Sequence, residues 1–187
     1  ESRSVHKPPR RLSAALEEFA IEASILKVAS SEMVDYVVDE NVQVHGGNGF
    51  VADYPAERRY RDARAHRIFE GTNAINRLLV PGMLIKRAMK GAVPLVAAAK
   101  ALRDELMTPA LGGSKDAASG SLADIAPMAT GLKKVALAAM GIAMETHGAA
   151  LEHEQEVLMQ LADLLMDAFA ADSVVLRAQA AADATHP

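Results

Sequence analysis

The chain has 187 residues, half of them apolar, so it is long enough to bury a sizeable core as one large or two small domains. Its net charge of −4 gives no reason to expect a nucleic-acid partner, and the lack of cysteine excludes disulfides and thiolate metal sites. Aromatic residues make up only 4%, whereas Ala, Leu, Val and Met are plentiful, which predicts an all-α protein. No uninterrupted apolar run approaches the roughly 20 residues of a membrane span, so we expect a soluble or at most peripheral protein.

The first predicted helix runs from Arg11 to about Val44, because apolar residues recur at helical spacing over this stretch. Residues 1–10 form a polar arm whose prolines exclude a helix. The chain opens without methionine or a signal-like apolar segment, which predicts a fragment. Ser30 and Ser31 are expected to bond back to preceding carbonyls and bend the helix without ending it.

A glycine cluster at residues 46–49 ends the first helix, and an arginine-rich run follows over residues 57–67. Thr72 is a suitable N-cap for a second helix, which we expect from Asn73 to about Lys90. Pro81 and Gly82 lie inside that helix and are expected to kink or split it.

The second half predicts a helix over 94–107, a flexible linker, and an antiparallel helix pair over about 125–147 and 150–183 that turns near Gly148. The formal charge is about +1 before residue 90 and about −5 after it, which also favours two units. The predicted organisation is an arm, a helical bundle, a connecting helix, a linker and an additional helix pair, over 1–10, 11–90, 91–107, 108–121 and 122–187.

Two features could carry chemistry. Bare backbone at Gly46 and Gly47 could press against a phosphate or adenine, although a helix C-cap is the simpler interpretation. Glu70, beside Gly71 on the loop that enters the second helix, would be shielded by Ile68 and Phe69 and become a stronger base. Spacing alone favours the alternative that Glu70 pairs with an arginine or caps the helix.

The other polar residues give weaker signals. The arginine run could face phosphates, but a solvated face with internal ion pairs to Glu57 and Asp62 is favoured. His45 and His66 lack metal-ligand spacing, so no metal site is predicted.

Four motifs follow one another along the first half of the chain. They are Gln43-Val-His-Gly-Gly-Asn-Gly-Phe50, Asp53-Tyr-Pro-Ala-Glu-Arg58, Arg61-Asp-Ala-Arg64, and Ile68-Phe-Glu-Gly-Thr-Asn73 with Ile75 and Arg77. Taken together, they resemble the C-terminal helical domain of the acyl-CoA dehydrogenases in order and spacing, over about residues 18 to 90. The region beyond residue 90 looks like the additional C-terminal region of the very-long-chain branch.

The resemblance implies an FAD-dependent enzyme that oxidises acyl-CoA to trans-2-enoyl-CoA in fatty-acid β-oxidation, with Glu70 as the base that removes the α-proton. Phe69 and Gly71 would then contact the substrate. Ala74 stands where medium-chain members usually carry a Gln that contacts flavin. The positions that match FAD-binding ones are Gln43, Gly46, Gly47, Thr72 and Asn73.

The resemblance further implies an electron-transfer flavoprotein as acceptor and a homo-oligomer, either a dimer or a tetramer. Only the last of the three family domains is present, so the chain alone is expected to be inactive. The expected location is cytoplasmic in a bacterium, or the mitochondrial matrix or inner-membrane surface in a eukaryote. The alternative function is a non-catalytic helical module for oligomerisation or membrane-surface contact, in which packing within the chain is favoured over membrane contact.

Overall fold

The computed structural model describes residues 16–108 and 121–185, apart from the side chains of 121–124 and 183–185, and the described residues are helical with no strand. The all-α prediction is therefore confirmed. The arm over 1–10 and all but the ends of the 108–121 linker lie outside the described residues. The helices are α1 (Ala20–His45), α2 (Pro55–Arg64), α3 (Asn73–Met89), α4 (Leu95–Met107), α5 (Ser121–His147) and α6 (Gln155–Thr185).

The chain divides into two compact units, Glu1–Leu79 and Val80–Pro187. The division falls inside α3, which belongs to the first unit at its start and to the second at its end. The domain boundaries expected from the sequence stay a prediction, because the linker on which they depend is mostly outside the described residues.

In the first unit, α1 packs against α2, and α1 also carries a narrow stripe of buried residues nearer its start. The stripe on α1 is formed by Ser24, Ile25, Val28 and Ser31, at the three-and-four spacing of one helix face. Ser31 Oγ donates to the Val28 carbonyl at 3.0 Å, and Ser30 Oγ donates to the Leu26 carbonyl at 2.6 Å. The predicted back-bonding of these serines is thus confirmed, and α1 continues past them to His45.

The start of α3 agrees with the prediction from the sequence, whereas the middle of the helix differs from it. Thr72 Oγ1 accepts a hydrogen bond from the Ile75 N–H at 3.2 Å, which is the predicted N-cap. Pro81 and Gly82 were expected to kink or split this helix, and the split is wrong, since α3 continues through both to Met89. Val80 and Pro81 are fully buried, and this burial offsets the backbone hydrogen bond that proline cannot make.

The second unit is built around α5 and α6, which a short 3₁₀ turn at Gly148–His153 joins as antiparallel neighbours. Small residues on α5 let the helices approach closely: a Cβ at Gly141 would lie 3.0 Å from the Ala99 Cβ of α4. Met140 is fully buried in this core. The buried residues of α5 and α6 include Ala129, Ala136, Ala143, Leu158, Leu161, Ala162 and Met166.

Within the described residues, one stretch, Ile125–His153, is long and apolar enough to cross a membrane by length and composition, with a mean hydropathy of 1.3. This is weak evidence, because a core helix of a soluble protein can meet the same criterion. Its two lysines pair with neighbouring helices: Lys133 with Asp172 and Lys134 with Glu105, both at 2.6 Å. These ion pairs join the stretch to α4 and α6.

Candidate functional site

The loop between α2 and α3 carries Glu70 in an uncommon backbone conformation. A 3₁₀ turn at Ala65–Arg67 follows α2, and α3 begins at Asn73. Glu70 has φ +57°, the only positive φ of a non-glycine residue in the described part of the chain, and Gly71 follows at φ +76°. For an L-residue this conformation costs about 1–2 kcal/mol, and such strain clusters at functional sites.

The Glu70 side chain is exposed, and no cation pairs with it among residues 16–108 and 121–185. The alternative in which Glu70 pairs with an arginine or caps α3 is therefore not observed there, since Thr72 provides the cap. The expected shielding by Ile68 and Phe69 is wrong for this chain alone. Ile68 is 57% exposed and Phe69 is 47% exposed, so neither encloses the carboxylate.

A buried hydrogen-bond network ties the start of α3 to α1. Asn73 is only 5% exposed. Its Nδ2 donates to Ser31 Oγ at 2.9 Å and to Glu32 Oε1 at 3.1 Å, while its Oδ1 accepts from Lys27 Nζ at 2.7 Å. The Asn73 side chain is thus fully used inside the protein, which leaves only its backbone for a ligand.

The network continues through a two-bond ion pair between α1 and α3. Arg77 donates from Nη1 to Glu32 Oε1 at 2.7 Å and from Nη2 to Glu32 Oε2 at 2.8 Å. Hydrogen bonds from Arg77, opposed by partial burial and assisted by Asn73 and the Arg67 charge, lower the pKa of Glu32 below its ordinary 4.5. Arg67, just before the loop, also pairs with Asp35 of α1 at 2.6 Å.

Gly71 is the point where this network reaches the Glu70 loop. Its carbonyl accepts hydrogen bonds from Lys27 Nζ at 2.7 Å and from Asn76 Nδ2 at 2.8 Å. Its φ of +76° favours glycine, and a Cβ there would lie 3.0 Å from Asn76 Nδ2 and press on that side chain. The Phe69 ring lies in a tilted contact with the His66 ring, with centroids 5.3 Å apart.

The glycine turn after α1 presents exposed backbone. The Gly46 N–H donates to the Gln43 carbonyl, and Gly46 has φ +58°. A Cβ at Gly46 or Gly47 would meet no heavy atom within 4 Å, so the space in front of both is open. Gly49, in contrast, is buried, and a Cβ there would lie 2.5 Å from the Val42 carbonyl oxygen.

A cavity of about 540 Å³ lies beside this turn in the first unit. The arginine run contributes to it, although Arg61 already pairs with Glu57 at 2.8 Å. The predicted internal ion pairs of this run are confirmed, since Arg58 also approaches Asp62 at 4.0 Å. The residues that line the cavity are Asp39, Val42, Gly49, Phe50, Glu57, Tyr60, Arg61 and Arg64.

The structure thus groups the predicted site residues in two places, the loop with Phe69, Glu70, Gly71, Thr72 and Asn73, and the turn with Gln43, Gly46 and Gly47. In the described part of the chain, the side-chain hydrogen bonds that reach the loop from another helix come from α1 and not from the turn. No cluster of three or more potential metal ligands occurs among the described residues.

Sequence reasoning missed Lys27, Ser31 and Glu32 as part of this site. They precede the loop by about 40 residues, and a sequence pattern does not show which residues of α1 face α3. One signal was present in the sequence: Lys27 is a lysine directly before Val28, within the run of apolar residues at helical spacing that predicts α1.

Two family models match the chain, both described as the C-terminal domain of acyl-CoA dehydrogenase, over residues 9–85 and 131–186. A probable acyl-CoA dehydrogenase of Bacillus subtilis (strain 168) is 45% identical over 175 residues, which are 94% of this chain and 29% of that protein. A subunit of the caffeyl-CoA reductase-Etf complex of Acetobacterium woodii is 41% identical over 66 residues, 35% of this chain and 17% of that one.

Among solved structures, an acyl-CoA dehydrogenase of Bacillus anthracis in complex with FAD superposes with a TM-score of 0.80 and 46% identity. That match covers 89% of this chain and 27% of the neighbour. The chain therefore spans less than a third of the length of the relatives it matches. The second family model shows that residues 131–186 also have counterparts in this family.

The strain at Glu70 predicts an inverted order of stability for two substitutions. Glu70→Gly and Glu70→Ala both remove the carboxylate, but only glycine adopts φ +57° without steric cost. We expect the Glu70→Gly protein to be more stable to denaturant than Glu70→Ala by about 1 kcal/mol. In an unstrained loop alanine would be the more stable, by about 0.4–1 kcal/mol. If the Glu70→Ala protein were as stable to denaturant as Glu70→Gly, or more stable, the backbone strain at Glu70 would be contradicted.

The Glu32 ion pair predicts a pH dependence of stability. Because the pKa of Glu32 is lowered in the folded protein, ionised Glu32 contributes fully to the free energy of unfolding above about pH 4.5. This contribution is lost as the pH falls through the folded pKa. We expect Glu32→Gln to lower the free energy of unfolding at pH 7 by about 1–3 kcal/mol. The gap to wild type should narrow below pH 4.5.

Urea titrations from pH 7 down to pH 3 measure this gap, with Glu40→Gln, on the exposed face of α1, as the control that should match wild type at every pH. If the free energy of unfolding of Glu32→Gln stays below that of wild type by the same amount down to pH 3, the predicted pH dependence of the Glu32–Arg77 ion pair is wrong.

Proposed function

Because the chain belongs to the acyl-CoA dehydrogenase family, as part of its C-terminal region, we propose that it is the helical portion of an FAD-dependent enzyme that converts acyl-CoA to trans-2-enoyl-CoA. Glu70 is the base in this proposal. The observation that carries it is a carboxylate without an ion-pair partner among the described residues, held at φ +57° on a loop tied to α1. Strain of this kind is rarely kept without a use.

The chemistry requires a base and an acceptor for negative charge. Glu70 takes the α-proton of the thioester, and the electron pair left on the α-carbon forms the new double bond as the β-hydrogen departs as hydride. FAD, when bound, supplies the acceptor of that hydride. The thioester oxygen gains charge during proton removal, and the backbone N–H of Glu70 is our proposed donor to it.

The strength of the base depends on how well water is excluded. In this chain alone Glu70 is exposed and Phe69 is 47% exposed. We propose that Phe69 walls the acyl site when the rest of the enzyme covers it, and that Gly71 lets the substrate approach the loop backbone. Removal of water would favour the protonated form of Glu70 and so strengthen it as a base. The isolated chain is accordingly expected to be inactive.

The residues proposed to contact FAD fit that role to different degrees. Gln43, Gly46 and Gly47 are exposed, with open space before both glycines, so a ligand can approach the backbone there, although the Gly46 N–H already donates to the Gln43 carbonyl. Thr72 uses its hydroxyl as the cap of α3, and the Asn73 side chain is occupied by Ser31, Glu32 and Lys27. At Asn73 only the backbone N–H, one of the unpaired amides of the first helical turn, remains for the flavin.

Further partners follow from the same proposal. Large apolar side chains of the first unit are exposed, among them Val44 at 84% and Phe50 at 83%, which is typical of surfaces that other domains or subunits cover. We propose a dimer or tetramer, with an electron-transfer flavoprotein as the oxidant of reduced flavin. The very-long-chain preference and the cytoplasmic or mitochondrial location stay predictions.

The test of the base is Glu70→Gln in the full-length chain. An amide cannot accept the proton, so we expect dehydrogenation of an acyl-CoA to fall by at least about 10²–10⁴-fold while FAD remains bound. Anaerobic bleaching of the flavin by acyl-CoA measures the step directly. Glu40→Gln, an exposed carboxylate on α1, should behave as wild type. Near-normal activity of Glu70→Gln would exclude the assignment.

A second candidate function is assembly through the helix pair, because α5 carries an exposed apolar stripe. Its members recur at three-and-four or seven-residue spacing, which is the seam of a helix–helix contact. They are Ile125, Met128, Leu132, Val135 and Ile142, between 40% and 69% exposed.

If this stripe mediates assembly, Leu132→Glu together with Val135→Glu should reduce the oligomer size of the full-length chain in sedimentation. Liposome co-sedimentation of wild type separates assembly from membrane-surface contact. An unchanged oligomer size and no liposome binding would leave α5 as a packing element only.

A further inference from the structure

We propose that Lys27 is a positioning residue for Glu70, an inference that rests on the proposed function. Its ammonium group donates to the Gly71 carbonyl and to Asn73 Oδ1, both at 2.7 Å. It therefore holds the loop at two points, immediately after Glu70 and at the first residue of α3. Through it, a rigid helix fixes the backbone from which the base projects.

The loop needs such a hold because its conformation is not favoured by its own residues. Glu70 and Gly71 are successive residues with positive φ, and the first of them pays a steric cost. Asn76 also bonds the Gly71 carbonyl, but Asn76 lies on α3 and moves with the loop. The Lys27 contact comes from α1, so it limits displacement of the loop relative to the rest of the unit.

Lys27 is itself held in place by its surroundings. It is half-buried, and its stem lies on the α1 stripe with Ser24, Val28 and Ser31, which are buried. Its partner Asn73 is fixed in turn by Ser31 and Glu32, and Glu32 by the two bonds from Arg77. The Lys27 ammonium thus lies at the end of a network in which each member has a defined hydrogen-bond partner. A reacting group needs supporting residues that are themselves held in place in this way.

A lysine suits this place for a geometric reason. An ammonium is a compact group with several donors that reach two acceptors in different directions, whereas the planar guanidinium of arginine is larger and its donors are fixed. Lys27→Met keeps most of the apolar stem and removes the donors. Lys27→Arg keeps the charge but not the geometry.

The test uses the full-length enzyme with FAD bound. For Lys27→Met we expect kcat per bound flavin to fall by about 10- to 100-fold, because a base displaced by about 1 Å loses that much. KM and flavin content should stay within about twofold, and the isotope effect with α-deuterated acyl-CoA should rise as proton removal becomes limiting. Lys27→Arg should recover part of kcat. Lys86→Met, at an exposed lysine of α3, is the matched control and should leave all four quantities unchanged.

A second measurement does not depend on turnover. Hydrogen exchange of peptides covering residues 68–74 should accelerate by about tenfold or more in Lys27→Met, while peptides from residues 33–45 of α1 keep their wild-type rates. The neighbouring serines give a graded comparison. Ser31→Ala removes a partner of Asn73 and should loosen the same peptides, whereas Ser30→Ala removes only a bond within α1 and should not.

The outcomes separate the two proposals. If Glu70→Gln is inactive but Lys27→Met keeps the wild-type kcat per flavin, the positioning role is wrong and the function stands. If Lys27→Met loses activity only in proportion to lost flavin or lost stability, the role is merely structural and the inference is overturned. If wild type does not dehydrogenate acyl-CoA, the proposed function is wrong, and hydrogen exchange alone decides whether Lys27 holds the loop. Wild-type exchange rates at residues 68–74 in Lys27→Met would then overturn the positioning role.

Discussion

The first unit depends on one buried side chain, the carboxamide of Asn73. It lies where α1 meets the start of α3, and it is 5% exposed. An amide in that place must have its donors and acceptor satisfied, since an unpaired buried polar atom costs about 1–3 kcal/mol. Ser31, Glu32 and Lys27 of α1 meet that demand together. The relative position of the two helices is thereby specified by hydrogen-bond geometry, which is more selective than apolar contact.

The fixed position of α3 against α1 matters because neighbouring residues at the start of α3 need different backbone conformations. Thr72 and Asn73 must begin a helix, while Glu70 and Gly71 must adopt positive φ. A loop left to itself would relax the strain at Glu70 by changing its backbone. Fixing α3 to α1 removes that freedom. Local strain at Glu70 is thus maintained by contacts elsewhere in the unit, and those contacts lie on helices, not on the loop.

Helix positions and caps could be read from the sequence, whereas contacts between helices could not. The limits of α3 and α4 and the α5–α6 turn follow from apolar spacing, Thr72, Pro94 and Gly148, which all act within a few residues. The expected split at Pro81 is wrong because local propensity favours a break there, while burial of Val80 and Pro81 maintains the helix. The partners of Asn73 were missed for the converse reason, because Lys27 and Ser31 are distant in sequence. The exposure of Glu70 could not be foreseen either, because shielding by Phe69 is a property of surrounding surface and not of the motif.

The exposure of Glu70 bears on how the proposed activity would be divided over the whole protein. In the described chain the loop backbone is in place, with Gly71 bonded and Thr72 capping α3, but the carboxylate of Glu70 is in water. Under the proposed function, orientation and desolvation of Glu70 are therefore separate contributions. The first is made by α1 and α3 through the Asn73 network. The second needs apolar surface against Phe69 and Ile68, which are both about half exposed here. If Glu70 is the base, as proposed above, the water that surrounds it in this chain must be displaced in the assembled enzyme, and apolar surface against Phe69 and Ile68 is the proposed means.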